Sequence, residues 1–185
     1  MDLTATVYYD ELVARCKQGD RQSYEILYRQ YAKAMLNTSL RIVNNVADAE
    51  DVLQESFLAA FKLDNFDYSS TFGAWLKRIV INKSIDLLRK RKVVSIQLDE
   101  NPVNEHSETE EIDEEQIQYR VGSIKRAIRQ LPNGYRTVLS LFLFEGYDYE
   151  EIADIMQINA ATVRSQYHRA KRKLLALLKK EVNHE

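Results

Sequence analysis

Arg164, Ser165, His168, Arg169 and Arg172 follow one another at alternating steps of one and three residues, the spacing that gathers side chains on one side of an α-helix. Guanidinium, hydroxyl and imidazole groups so arranged are the donors that meet base edges and phosphates in a major groove. On the opposite side, stepping 100° per residue from Val163, the residues Tyr167, Ala170, Leu174 and Leu177 all fall within about 40°, an apolar stripe for a core. Thr162 stands at the start of the segment. Lys171 and Arg172, followed by Lys173, lie towards its C-terminal half, better placed for backbone phosphates. Between Asn159 and Lys180 there are seven Lys or Arg and no acid. A solvated basic face is common in helical proteins, but here a short helix precedes it. Asp148-Tyr-Glu-Glu151 has the form of a capping box, opening a helix over Tyr149–Met156. Gln157-Ile158-Asn159 then breaks the pattern, and Asn159 caps the next helix. Two helices joined by a tight turn, the second apolar on one side and Arg-rich on the other, describe a helix-turn-helix.

A second constellation runs from Phe66 to Arg91. Phe66, Tyr68 and Phe72 belong to a loop rich in aromatic and hydroxyl side chains, and the helix that follows carries Trp75, Lys77, Arg78, Asn82 and Arg89. On a helical projection Trp75, Arg78, Asn82, Asp86 and Arg89 fall within about 80° of one another, while Leu76, Ile79, Val80, Leu87 and Leu88 supply a buried side. Aromatic rings beside basic and amide groups are what holding an unstacked single strand requires. For Phe72 and Trp75 a role as core anchors is an equal alternative, since large aromatics in small bundles are mostly buried. A third segment, Asp48–Phe61, turns Leu53, Phe57 and Ala60 inward and gathers Asp48, Asp51 and Glu55 on another side, with Glu50 and Gln54 at its borders. A carboxylate face on a nucleic-acid-binding domain points to a protein partner, although such a face alone is usually just solvated.

Other chemistry is excluded. The three histidines stand far apart, so no metal-ligand spacing exists; there is no Gly-rich phosphate loop and no nucleophile elbow. No catalytic residues, metal or cofactor are expected, and no small-molecule substrate. The single Cys16 rules out an internal disulfide and favours a reducing compartment. No signal-peptide pattern opens the chain, and its apolar runs, such as Leu141–Phe144, are all too short to insert in a membrane. A cytoplasmic location is therefore expected.

The elements that must position these residues are all helical. Helices are expected over Tyr9–Gln18, ending at Gly19, over Asp20–Ile42, from Asp48 to near Phe61, from Thr71 to about Lys92, from Glu114 to Arg129, and over Asn133–Phe144, besides the two of the helix-turn-helix. Pro132 suits a first helical turn. The formal net charge of −2 hides a pattern: residues 1–95 carry +2, residues 96–118 carry −9 with no Lys or Arg, and residues 119–185 carry +5. Like charges repel and the acidic stretch offers little to bury, so it reads as an extended linker. The expectation is an all-α chain of two small helical domains, 1–95 and 119–185, joined by an acidic linker at 96–118.

Taken together, these segments resemble the extracytoplasmic-function (ECF) sigma factors of bacterial RNA polymerase. Two runs carry the resemblance: Phe72-x-x-Trp-Leu-x-Arg-Ile-x-x-Asn-x-x-x-Asp-x-x-Arg89, and Tyr149-x-Glu-Ile-Ala-x-Ile155 followed by Thr162-Val-Arg-Ser-Gln-Tyr-His-Arg-Ala170. The resemblance implies a specificity subunit rather than an enzyme. Residues 1–95 would match the domain called region 2, with Asp48, Asp51, Gln54 and Glu55 docking on core RNA polymerase, and Phe66, Tyr68, Phe72, Trp75, Lys77, Arg78, Asn82 and Arg89 capturing the melted minus-ten element of promoter DNA. Residues 119–185 would match region 4, with Thr162, Arg164, Ser165, His168, Arg169, Lys171 and Arg172 on the duplex minus-thirty-five element. The acidic linker would thread towards the polymerase cleft, its carboxylates mimicking nucleic acid. An anti-sigma factor is a further partner of such proteins. The chain departs from the pattern at Gln157, where relatives usually have Gly, and at Ala160-Ala161, which replaces a more polar helix start. A helical adaptor binding only protein, or a helix-turn-helix regulator acting without polymerase, would have no need of the Phe72–Arg89 face.

Overall fold

The structure is a computed structural model, and it describes the backbone of residues 3–62, 66–94 and 114–182. Among the described residues there are eight α-helices and no strand. The chain divides into two compact units, Met1–Val93 and Val94–Glu185. Residues 96–113 of the expected linker lie outside the described residues, and 114–118 already belong to a helix.

The first unit contains α1 (Leu3–Lys17), α2 (Arg21–Val43), α3 (Val46–Ala60) and α4 (Phe72–Val94). α1 begins six residues earlier than the sequence pattern indicates and stops where it should. Gly19, at φ +85, makes the left-handed turn, and Asp20 caps α2 by accepting from the Gln22 N–H at 3.2 Å and the Ser23 hydroxyl at 2.5 Å. The Ser23 bond holds the Asp20 carboxyl below its ordinary pKa. α3 starts at Val46, not Asp48. The reason is a paired cap: Asn44 ends α2 in the left-handed region at φ 57, and the Asn45 side chain accepts from the Asp48 N–H at 3.1 Å.

Leu12, Val13, Leu27, Met35, Val52, Leu53, Phe57, Leu76 and Val80 form the core of this unit together with two loop-side rings described below. Each such side chain stabilises the fold by about 1.5–3 kcal/mol relative to exposure. On α4 the buried side is centred on Leu76, Val80, Ile81 and Ile85, with Ile79, Leu87 and Leu88 only half-buried. The expected inward face thus overlaps the observed one at Leu76 and Val80, and the observed face extends to Ile81 and Ile85, which the projection left out. Buried Ser84 fixes that face: its hydroxyl donates to the Val80 carbonyl at 2.7 Å and lies 3.0 Å from the Ser39 hydroxyl of α2.

The second unit contains α5 (Glu114–Arg129), α6 (Asn133–Leu143), α7 (Tyr149–Met156) and α8 (Ala160–Val182). Pro132 sits one residue before α6, as its N-cap, rather than in the first turn. The α5–α6 corner is tied by Arg136, 3% exposed, which donates to the Leu131 carbonyl at 2.8 Å and to the Asn133 side chain at 2.6 Å. Burial pulls the pKa of this guanidinium down. Leu131, Leu139 and Ala170 are buried, and Tyr135, Tyr167, Leu174 and Leu177 pack over them. The apolar stripe expected on α8 is thus the face that meets α6.

Candidate nucleic-acid and protein-docking surfaces

The α7–turn–α8 unit is built largely by rules local to its own sequence. Asp148 and Glu151 form the reciprocal capping box: the Glu151 N–H donates to Asp148 Oδ1 at 2.8 Å, and the Asp148 N–H donates to Glu151 Oε2 at 2.9 Å. Gln157 takes the left-handed conformation at φ 52, ψ 46 without being glycine. The turn is closed by the Ile158 N–H donating to the Ala153 carbonyl at 3.1 Å. Asn159 Oδ1 then accepts from both the N–H and the hydroxyl of Thr162, at 2.7 and 2.8 Å. Thr162 is therefore a member of the cap, and its hydroxyl is engaged. Phe142, Tyr149 and Tyr167 stack with centroids 4.7–5.7 Å apart, pinning α7 and α8 to the end of α6.

On the outer side of α8, Arg164, Ser165, His168, Arg169, Lys171 and Arg172 are all exposed. The Ser165 hydroxyl donates to the Thr162 carbonyl at 2.9 Å, leaving its oxygen as an acceptor. The Arg164 guanidinium lies 5.5 Å from the centre of the Tyr149 ring, so its stem is steered along the groove between the helices. The geometry suits insertion of one helix face into a groove lined by phosphates.

The second surface is assembled differently. Phe66 and Phe72 are 4% and 1% exposed, with centroids 5.9 Å apart, and the half-buried Trp75 leans on both at 5.1 and 5.9 Å. For Phe72 the core-anchor alternative holds in this structure, for the half-buried Trp75 only in part, and Phe66 is buried beside Phe72: neither phenylalanine ring has a face open to a base. Tyr68 does, being 43% exposed, and it tilts against Phe66 with centroids 4.7 Å apart. α4 can begin at Phe72 because Gly73 has no Cβ; one placed there would lie 2.7 Å from the Tyr31 ring. The Thr71 hydroxyl oxygen accepts from the Ala74 N–H at 3.3 Å and starts the helix. Along α4, Arg78 and Asn82 are exposed, Lys77 and Arg89 half-buried, and Arg89 pairs with Asp86 at 3.0 Å. Sequence reasoning missed Lys17, whose ammonium sits 4.6 Å from the centre of the Tyr68 ring. Nothing in a one-dimensional pattern links positions 17 and 68.

The carboxylate side of α3 is narrower than the sequence indicates. Asp48 is 9% exposed and makes a two-pronged ion pair with Arg91 of α4, so it faces its own fold rather than a partner. Asp51, Gln54 and Glu55 are exposed, and Glu55 meets Lys83 at 3.1 Å. Leu58, also missed, continues their stripe at helical spacing and is 70% exposed. A leucine on a polar stripe was the available signal.

Among the described residues no group of three or more His, Cys, Asp or Glu is placed to hold a metal, and no helix is long and apolar enough to cross a membrane. The family model for sigma-70 region 2 matches residues 27–93, and the model for sigma-70 region 4 matches residues 122–174. The chain is 34% identical over 171 residues to the RNA polymerase sigma-H factor of Pseudomonas aeruginosa, covering 87% of this chain and 89% of the relative. It is 32% identical over 181 residues to the ECF RNA polymerase sigma factor SigE of Mycolicibacterium smegmatis, covering 96% and 68%. Among solved structures, it is similar to CnrH in complex with the cytosolic domain of CnrY, at 26% identity and a TM-score of 0.54, over 91% of this chain and 96% of that one. It is also similar to the sigma factor RpoE in complex with the anti-sigma factor NepR from Bartonella quintana, at 25% identity and a TM-score of 0.55, over 85% and 98%.

Proposed function

The chain belongs to the sigma-70 family of RNA polymerase sigma factors, as a member of the ECF type, and from that premise we propose that its two units divide promoter reading between duplex and single strand. It is a promoter-directing transcription initiation factor, not an enzyme. Residues 1–95 act as the region 2 domain and residues 119–185 as the region 4 domain. The acidic stretch 96–118 serves as the linker that enters the polymerase cleft.

In this reading α8 enters the upstream major groove. Arg164, Ser165, His168 and Arg169 meet base edges and nearby phosphates, Lys171 and Arg172 neutralise backbone, and Thr162 holds the helix start in register. Downstream, Tyr68 and Trp75 supply the rings on which unpaired bases stack, each stack being worth about 1–3 kcal/mol. Lys77, Arg78, Asn82 and Arg89 follow the strand along α4, and Phe66 and Phe72 support the rings from below. Asp51, Gln54, Glu55 and Leu58 form the face that docks on core RNA polymerase, a leucine amid carboxylates giving both an apolar anchor and charge complementarity. Asp48 holds that face in place through Arg91. CnrH and RpoE have each been solved with a protein bound, in RpoE an anti-sigma factor, and an anti-sigma factor is the regulatory partner of this chain as well. Its workplace is the cytoplasm, where polymerase is.

The observation that carries this reading is the exposed Arg164-to-Arg172 face on a capped helix-turn-helix, in the same chain as an exposed acidic stripe with a leucine in it. The test is co-elution of the purified chain with bacterial core RNA polymerase on a sizing column, beside an Asp51→Lys/Glu55→Lys variant. A stable complex that the double variant loses is the expected result. Binding to duplex DNA with no polymerase complex would leave a helix-turn-helix regulator instead.

A further inference from the structure

Tyr68 has φ +61, in the left-handed region that a bulky side chain rarely occupies. A residue held there costs about 1–3 kcal/mol and persists only when its surroundings over-determine it. Here the surroundings can be named. Phe66, two residues earlier, is locked in the core. Asp67 Oδ1 accepts from the Ser69 N–H at 2.9 Å, closing an Asx turn across Tyr68. The third constraint comes from the last residue of α1. Lys17 Nζ donates to the Phe66 carbonyl at 3.2 Å and lies 4.6 Å from the centre of the Tyr68 ring. One ammonium thus grips both the backbone and the ring of a loop that is 49 positions away in sequence.

We propose that Lys17 is a positioning residue for strand capture, holding the Tyr68 ring in a strained, preformed orientation in which a base stacks on it. The proposal rests on the strand-capture reading above and deepens it. The cation sits on one side of the ring and leaves the rest of this 43% exposed side chain for a ligand. A ring fixed in advance loses less rotamer freedom when a base arrives, which is how preorganisation raises affinity. The ligand that fits is a flat, unpaired base of the downstream strand. A duplex, whose bases are already stacked, gains nothing from such a platform.

The experiment follows promoter opening by the full chain with core polymerase, read from permanganate reactivity of unpaired thymines. Lys17→Met and Lys17→Arg are each placed in the wild-type and the Tyr68→Gly backgrounds, with Trp75→Ala as control. Lys17→Met is expected to slow opening about tenfold, the size of one lost base stack. Lys17→Arg should stay within about twofold, because a guanidinium also donates and stacks on rings. Core-polymerase binding should be unchanged in both. In the Tyr68→Gly background, Lys17→Met should add nothing, because the ring it positions is gone. The same slowing in both backgrounds would overturn the proposal, making Lys17 an independent strand contact, and so would no slowing in either. If Trp75→Ala and Tyr68→Gly also leave opening unchanged, it is the strand-capture reading that fails; if they slow it and Lys17→Met does not, only the role of Lys17 fails. Tyr68→Gly should not lower the thermal midpoint, since it releases backbone strain.

Discussion

The helix-turn-helix of the second unit and the aromatic loop of the first each contain a non-glycine residue in the left-handed region, Gln157 at φ 52 and Tyr68 at φ 61. They reach it by opposite means. At Gln157 the conformation simply ends α7, and neighbouring backbone groups satisfy one another. At Tyr68 it is imposed through side chains, one of them from the far end of α1. A duplex has a regular groove, so a rigid helix with exposed tips is enough to read it, and local rules build such a helix. An unpaired strand has no fixed shape, so in the proposed strand-capture reading the rings are fixed instead, and tertiary contacts do that.

The sharpest way to break this contrast is to remove a ring from below the loop. Phe72→Ala should cost about 3–5 kcal/mol of stability, the range for a large aromatic deleted from a packed core. Urea unfolding followed by circular dichroism checks it. Core-polymerase binding and promoter opening should fall together, since α4 loses its support. A variant that kept full stability and lost only opening would make Phe72 a platform after all. In the other unit, Arg169→Ala should weaken upstream duplex binding by about 1–3 kcal/mol and relax the preference for a particular base, whereas Lys171→Ala should weaken all sequences alike and reduce the salt slope by about 1. Fluorescence anisotropy across a salt series separates the two.

Smaller effects test whether the helix-turn-helix is as locally determined as it looks. Asp148→Ala removes one half of the capping box and should cost about 1 kcal/mol, seen as a lower thermal midpoint. Gln157→Gly should act the other way, by a few tenths of a kcal/mol, because glycine reaches the left-handed region without strain but loses more entropy on folding. Neither should change the order of duplex preferences. A change in preference on either substitution would mean that the turn, and not only α8, sets the docking angle.

The same contrast governs what could be read from the residues alone. Asp148, Asn159, the apolar stripe from Val163 to Leu177 and the basic face from Arg164 to Arg172 all express periodicity and capping, and the structure shows the cap contacts and the two faces as the pattern indicates. Apart from helix starts and Leu58, the misses lie where contacts join distant positions. Asp48 had the right charge and spacing for an outward carboxylate, but Arg91, 43 residues on, turns it inward. Phe66 and Phe72 had the right chemistry for stacking, yet four aromatic residues of the loop region compete for one small core and two of them fill it. Lys17 carries no signal in the sequence beyond its place at the end of α1. On α4, Leu76 and Val80 are buried as the pattern indicates, but Ile81 and Ile85 join them because the polar Ser84 is buried there against Ser39.

The smallest effect reports on the ground beneath Lys17. Its neighbour Cys16 is 1% exposed, and burial, with a further contribution from Asp20, raises the thiol from its ordinary 9.0 to about 11. Thiolate is the reactive form, so a disulfide reagent at pH 8 should label the folded chain far more slowly than the urea-unfolded one. Above pH 9 the unfolded chain loses this proton while the folded chain keeps it until about 11. The unfolded state then binds fewer protons, so stability falls as pH rises through this window and is intact below it. The Tyr24 hydroxyl donates to the Cys16 carbonyl at 2.6 Å, so the end of α1 is held independently of the loop. Lys17→Met should therefore leave the labelling rate of Cys16 unchanged while it slows opening. Faster labelling in that variant would mean that Lys17 secures the helix end itself, and the contrast between a locally built reader and a remotely braced one would lose its second half.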